Sequence, residues 1–231
     1  MSKKRAGKFD RSATEALTMA VSHPGEGAKV IAAIKSELSS GADPDGDSIG
    51  LAPLAAAAKS GQRAAARLLI KAGADLERGG EMGRTPLILA ALEPVRGAQI
   101  ARDLIKAGAR IDAVDESGWT ALMHASVVGN RELVEILIQA GANLDHGTAT
   151  GWGPLVAAIY REREVGAEMI DLLFERGARA TLVILEKARG WKKEEVANRL
   201  ERAQRARDEA EQIAGAALAG SVAGRRARPG L

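Results

Sequence analysis

Residues 83–91 read GRTPLILAA and residues 118–126 read GWTALMHAS. Each stretch is followed, about one helix later, by a second shared text, LIKAGARI at residues 104–111 and LIQAGANL at residues 137–144. The same marks recur elsewhere in the chain. Gly-Ala begins at residues 41, 73, 108, 141 and 177, and Pro-Leu or Ala-Leu begins at residues 53, 86, 121 and 154. Two independent marks that share a spacing of 32–36 residues indicate an internal repeat.

Each unit of this repeat reads as a turn, a first helix, a short turn and a second helix. In the fourth unit, Thr120 is placed to cap the first helix with its hydroxyl. Prolines at the next position of other units, such as Pro86, fit a first helical turn, where no backbone donor is needed. Large apolar residues then recur every three to four positions between residues 133 and 138, as in an amphipathic helix. Gly141 follows where left-handed dihedral angles end a helix.

These residues resemble the ankyrin repeat, a stacked unit of about 33 residues. The resemblance extends from residue 13 to residue 179, and the first unit departs from it by lacking both the initial Gly and Thr-Pro. It implies an all-α fold, an ankyrin-like helix-turn-helix solenoid of about five repeats with a C-terminal helical extension. It also implies non-catalytic recognition of a macromolecule.

Charge is unevenly distributed along the chain, with basic ends and an acidic middle. Residues 1–11 contain five basic residues and one acidic residue, residues 186–231 contain 11 basic and 7 acidic residues, and the stretch between them is acidic. We expect a basic N-terminal tail at 1–11, the ankyrin-repeat domain at 12–182, a C-terminal cap and helical extension at 183–218, and a basic tail at 219–231. The basic start lacks the apolar run of a secretory signal, and no stretch has the roughly 20 apolar residues that span a bilayer. The sequence therefore predicts a cytoplasmic protein with no membrane contact.

The sequence contains no recognisable catalytic or metal-binding motif. The absence of Cys excludes thiolate sites, and the three histidines, His23, His124 and His146, fall in different units. Asp43 and Asp45 resemble the start of an EF-hand loop, but Leu54 occupies the position of its bidentate Glu. We expect no cofactor, no metal and no enzyme activity.

The expected recognition surface follows from the family resemblance. In ankyrin-like proteins the finger, which is the turn before each first helix, and the exposed side of the first helices contact the partner. The partner-binding residues that correspond to these positions are Ile49, Leu51, Met82, Arg84, Trp119, Val127, Val128, Trp152 and Tyr160. Exposed apolar and aromatic clusters mark interaction sites. The alternative is that the two tryptophans pack flat along their own fingers.

The segment after the repeats reads as a long polar helix. A heptad through Val196, Leu200, Ala203 and Arg207 has a seam that is poor for a self-standing coiled coil. Three arrangements remain open: the helix docks on the array, extends from it, or becomes ordered against another molecule.

The sequence thus predicts a protein–protein recognition module. The alternative function is a structural subunit of a larger assembly, anchored to protein or nucleic acid by the basic tails. Binding through the tails is expected to weaken steeply with salt, whereas binding through an apolar surface is not. The sequence indicates no particular oligomeric state.

Overall fold

The fold is an all-α solenoid, as the repeat predicts. The computed structural model describes residues 13, 15–17, 27–46, 51–161 and 166–226. Their regular structure is helical, apart from one isolated bridge between Val114 and Thr120. The helices with complete bounds are α1 (Gly27–Ser39), α2 (Pro53–Lys59), α3 (Arg63–Ala72), α4 (Pro86–Leu92), α5 (Gly97–Ala107), α6 (Ala121–Val128), α7 (Arg131–Gln139), α8 (Pro154–Arg161), α9 (Gly166–Glu175), α10 (Leu182–Gly190) and α11 (Glu194–Arg226).

The helices form two layers. The first helices of successive units pack in the order α2, α4, α6 and α8, and α10 packs on α8 as the next member of this inner layer. The second helices α1, α3, α5 and α7 pack in the same order in the outer layer. Residues 55–58 of α2, all alanine, are almost fully buried, because small side chains let the inner helices approach closely. The core is therefore continuous along the stack.

These helices begin at threonine caps and end at left-handed glycines, at the positions that the sequence predicts. The hydroxyl oxygens of Thr85 and Thr120 accept hydrogen bonds from the backbone N–H of Ile88 and Met123, which caps α4 and α6. Gly108, which ends α5, has a φ of 98°, in the left-handed region that favours glycine. The N–H of the next residue then reaches back to the carbonyl of Leu104, at 3.1 Å.

A ladder of side-chain to backbone hydrogen bonds joins each unit to the next. In every step, a carboxylate at the base of one finger accepts a hydrogen bond from a backbone N–H of the following unit. The four bonds are Asp75 N to Asp45 Oδ1 at 2.6 Å, Arg110 N to Glu77 Oε1 at 2.7 Å, Asn143 N to Asp112 Oδ1 at 3.0 Å, and Arg179 N to Asp145 Oδ1 at 2.9 Å. Burial raises the pKa of the Asp45 carboxyl, although the Asp75 N–H opposes this shift. The acidic turn at Asp43 and Asp45 thus takes part in stacking the units.

The last helix docks on the repeats through its first half. Val196 and Leu200 are buried, and the N–H of Ala180 donates to Gln204 Oε1 at 3.1 Å. Arg207 donates to the backbone carbonyl oxygens of Ala178 and Phe174. Residues 208–216 are exposed, and the helix continues to Arg226, whereas the predicted helical extension ends at residue 218. The docked face is the one that carries the heptad positions from Val196 to Arg207.

Candidate partner-binding surface

Four aromatic side chains form a continuous cluster across the last two fingers and the cap. We call Trp119, Trp152, Tyr160 and Trp191 the aromatic cluster, and it contains all three tryptophans and the single tyrosine of the chain. The ring centroid of Trp152 lies 5.3 Å from that of Trp119, 5.3 Å from that of Tyr160 and 5.6 Å from that of Trp191. Tyr160 and Trp191 lie 5.3 Å apart. The tryptophan rings therefore contact one another across the neighbouring fingers and the cap, with ring planes tilted by 37° between Trp119 and Trp152 and by 40° between Trp152 and Trp191.

The two finger tryptophans are held by equivalent backbone contacts. The N–H of Trp119 donates to Asp115 Oδ1 at 2.9 Å, and the N–H of Trp152 donates to Thr148 Oγ1 at 3.0 Å. The preceding Gly118 has a φ of 75°, so the turn needs glycine at this point. The same turn geometry in successive units brings both rings to the same face of the stack.

Trp191 completes the cluster from outside the repeats. It ends α10, its N–H donates to Lys187 O at 3.1 Å, and Lys187 Nζ lies 5.8 Å from the Trp152 ring centroid. The amino group of Lys193 donates to the carbonyl of Ile159, which fixes the turn against α8. Sequence reasoning missed Trp191. The signal that points to it is compositional, because one of only three tryptophans stands just beyond the last repeat.

Tyr160 is the most accessible member of the cluster. Its side chain is 58% exposed at the end of α8, whereas the three tryptophans are half-buried. Tyrosine combines an apolar ring with a polar hydroxyl and is common where a surface is covered by a partner. The cluster therefore has a packed interior and an accessible edge.

A buried Asp115–His124 pair lies beside Trp119, at the end of the aromatic cluster away from Trp191 and Tyr160. His124 Nε2 lies 2.9 Å from Asp115 Oδ2, and the His124 ring centroid is 5.2 Å from that of Trp119. Burial lowers the pKa of His124, although Asp115 opposes this shift. Burial raises the pKa of Asp115, but the hydrogen bonds from the Trp119 N–H and from His124 outweigh it and the pKa is lowered. The carboxylate stays ionised and holds a neutral imidazole.

Leu51 and Arg84, two of the predicted binding residues, line one pocket. We call it the Arg84 pocket; its volume is about 270 Å³ and it is lined by Leu51, Lys59, Glu81, Arg84, Leu89 and Leu92. It lies between the second and third units. Arg84 also links the pocket to the buried pair, since its Nε lies 3.8 Å from Asp115 Oδ2.

Comparison with protein families agrees with this architecture. The family model described as Ankyrin repeats (3 copies) matches residues 17–115 and 95–183. The chain belongs to the ankyrin-repeat family. Members of this family are generally protein–protein interaction modules and are typically non-catalytic. A search of curated proteins found no match.

The remaining residues predicted from the ankyrin pattern are more scattered. Met82 lies in the short 3₁₀ turn Glu81–Gly83, is 45% exposed, and its carbonyl accepts a hydrogen bond from Glu116 N at 2.9 Å. Val127 and Val128 are half-buried at the end of α6. Ile49 lies outside the described residues, as do His23, the basic residues 1–11 and the last five residues. The alternative role of the tails stays a prediction.

The described part of this ankyrin-repeat chain contains no group of His, Asp and Glu side chains arranged to hold a metal ion. Within the same residues, no helix has both the length and the apolar character needed to cross a membrane.

Proposed function

We propose that this ankyrin-repeat protein is a non-catalytic recognition module that binds a protein partner through its finger tips and the exposed side of its first helices. The observation that carries the proposal is the aromatic cluster, in which an exposed Tyr160 lies edge-on against Trp152, whose ring also contacts that of Trp119. Aromatic side chains in the middle of a contact surface are the residues on which binding affinity most often depends.

The contacts between the rings also favour affinity. A side chain that is already held by its neighbours loses little conformational freedom when a partner covers it, and each freely rotating side chain that must be ordered costs about 0.5–1.5 kcal/mol. Trp119 and Trp152 are held by their rings and by the hydrogen bonds of their backbones. The surface is thus preorganised for binding.

The competing explanation is that the cluster only fastens the cap to the repeats. Tyr160 distinguishes the two, because its ring contacts Trp152 and Trp191 yet its side chain is 58% exposed, so more than half of its surface is open to a partner. Val95 provides a matched control, since it is an apolar residue that is 80% exposed in the turn between α4 and α5.

The test is affinity capture from native lysate with the full chain, Tyr160→Ala and Val95→Ala, after nuclease treatment and at moderate salt. We expect a protein that is retained by the full chain and by Val95→Ala and is lost with Tyr160→Ala. Truncation of an aromatic residue on which binding depends costs about 2 kcal/mol or more, which is about 30-fold in affinity. Equal retention by all three proteins would contradict the proposal, and retention that disappears in high salt would favour the tails.

A further inference from the structure

Arg84 has unused hydrogen-bonding capacity beside an open pocket. Its Nε is buried and has no hydrogen-bond partner among the described residues. Arg84 forms an ion pair with Asp115, in which Nε lies 3.8 Å from Oδ2, a distance too long for a hydrogen bond. The Arg84 side chain is 28% exposed and lines the Arg84 pocket. Nε itself is covered, so a ligand in the pocket meets the exposed part of the Arg84 side chain, whose positive charge attracts an anionic group.

Asp115 does not need Arg84 as its partner. Its carboxylate accepts hydrogen bonds from the N–H groups of Ser117 and Trp119, both at 2.9 Å, and from His124 Nε2 at 2.9 Å. The guanidinium therefore remains available to a second carboxylate. Arginine suits this task because its planar fork pairs with a carboxylate through two parallel hydrogen bonds.

The other pocket residues define the ligand. Lys59 and Arg84 are cationic and Glu81 is anionic, so the lining has a single net positive charge; the Asp115 carboxylate lies behind Arg84, is 1% exposed and is not part of the lining. One carboxylate balances this charge, whereas a doubly charged phosphate exceeds it. Leu51, Leu89 and Leu92 supply the apolar part of the lining, which fits the methylene groups of an acidic side chain.

We infer that the Arg84 pocket binds the side-chain carboxylate of an Asp or Glu in a linear segment of the protein partner. This inference rests on the proposed function, because the same segment continues onto the aromatic cluster. Fingers three and four are direct neighbours, as shown by the hydrogen bond from Glu116 N to Met82 O. Helices pack about 8–10 Å apart and an extended chain advances about 3.3 Å per residue. A large apolar or aromatic residue three positions from the acidic residue then meets Trp119.

The test uses a phage-displayed library of random linear 12-residue peptides, selected on the full chain. Enriched peptides are synthesised with amidated C-termini, so that carboxylates come from side chains alone, and their affinities are measured by fluorescence anisotropy. Each peptide is compared with a version in which the acidic residue is replaced by its amide. The proteins are the unmodified chain, Arg84→Gln, Lys59→Gln, Tyr160→Ala and the control Arg102→Gln, which removes an exposed arginine of α5.

We expect enriched peptides to share an acidic residue with an apolar or aromatic residue three positions away. The amide version should bind the unmodified chain and Arg102→Gln about 10-fold more weakly, and Arg84→Gln less than about 3-fold more weakly. Circular dichroism checks the fold of Arg84→Gln. Lys59→Gln, at the exposed end of α2, tests the positive charge of the pocket independently of Arg84. It should reduce the difference in affinity between the acidic peptide and its amide version.

Two results would overturn the inference: enrichment of peptides without an acidic residue, or an equal amide penalty in the unmodified chain and in both pocket variants. If those peptides still lose affinity with Tyr160→Ala, the proposed function stands without the inference. If no peptide is enriched above an unrelated protein, both fail. An acidic preference that depends on Arg84 but not on Tyr160 supports the pocket and contradicts the role of the aromatic cluster.

Discussion

The guanidinium of Arg207 lies 4.1 Å from the ring centroid of Phe174 and donates a hydrogen bond to the backbone carbonyl of the same residue. One side chain of the last helix therefore covers both the ring and the open carbonyl at the end of the repeat stack. A stacked array leaves its terminal unit without a neighbour, so it needs a polar cap. Here α11 serves as that cap through residues 196–207, and residues 208–216 of the same helix are exposed.

Replacement of Arg207 should loosen the cap. Arg207→Ala removes the contact with Phe174 and leaves two carbonyl oxygens without their donor, and we expect the free energy of unfolding to fall by about 1–2 kcal/mol. The control is Arg205→Ala, because Arg205 is 73% exposed and pairs with Glu201 on its own helix. That change should cost less than about 0.5 kcal/mol. Urea denaturation followed by circular dichroism measures both, and equal losses would contradict the capping role.

Enlargement of an inner-helix alanine should strain the stack. Ala57 is fully buried in α2, where the inner helices meet, and Ala57→Leu should destabilise the protein by about 1–3 kcal/mol through overpacking. Ala64→Leu, on the exposed face of α3, should have little effect. Thermal unfolding of both variants measures the difference. A tolerated leucine at position 57 would mean that the inner layer is looser than its burial indicates.

The buried Asp115–His124 pair should make stability fall with acid. The pKa of His124 is lower in the folded protein than its ordinary value of about 6.5, so the unfolded chain binds the proton first. Its contribution is complete above about pH 6.5 and decreases as the pH falls toward the folded pKa. The lowered pKa of Asp115 adds a second loss below about pH 4. Urea denaturation at pH 8 and pH 5.5 should show a smaller difference for His124→Gln than for the unmodified protein, and identical differences would refute the assignment.

Replacement of Trp191 should affect stability more than replacement of Tyr160, whose main expected effect is on binding. Trp191→Ala removes contacts with two rings and should lower the free energy of unfolding by about 2 kcal/mol or more. Tyr160→Ala also removes contacts with two rings, but the 58% exposed tyrosine buries less apolar area than the half-buried Trp191, so it should cost less than Trp191→Ala, about 1 kcal/mol. Guanidinium denaturation of both variants tests this, with Val95→Ala as the neutral reference. A larger loss for Tyr160→Ala would make its side chain structural and weaken its use as a probe of binding.

The repeat itself was predictable from the sequence because its signals are local. The helix ends at Thr85, Thr120 and Gly108 depend on residues within a few positions of one another, and the structure places them as the spacing indicates. The family match confirms the fold. The same local reasoning placed Trp119 and Trp152 on neighbouring fingers.

Contacts between distant residues were not predictable. Trp191 joins Trp152 only because α10 occupies the next inner-helix position, which no periodic pattern marks. Arg207 weakens the seam as a coiled coil, yet it suits a helix that lies against open carbonyl groups. The unpartnered Nε of Arg84 likewise depends on where Asp115 directs its carboxylate. Each of these features requires the geometry of the assembled stack.

The most direct test of the account is photo-crosslinking from position 160. Tyr160 is replaced by p-benzoylphenylalanine, which keeps an aromatic ring at the exposed edge of the cluster, and the same replacement at Val95 serves as the control. Both proteins are irradiated in native lysate. We expect a protein adduct that forms from position 160, is absent from position 95 and disappears when unmodified protein is added in excess. The same adducts from both positions, or none from position 160, would contradict it.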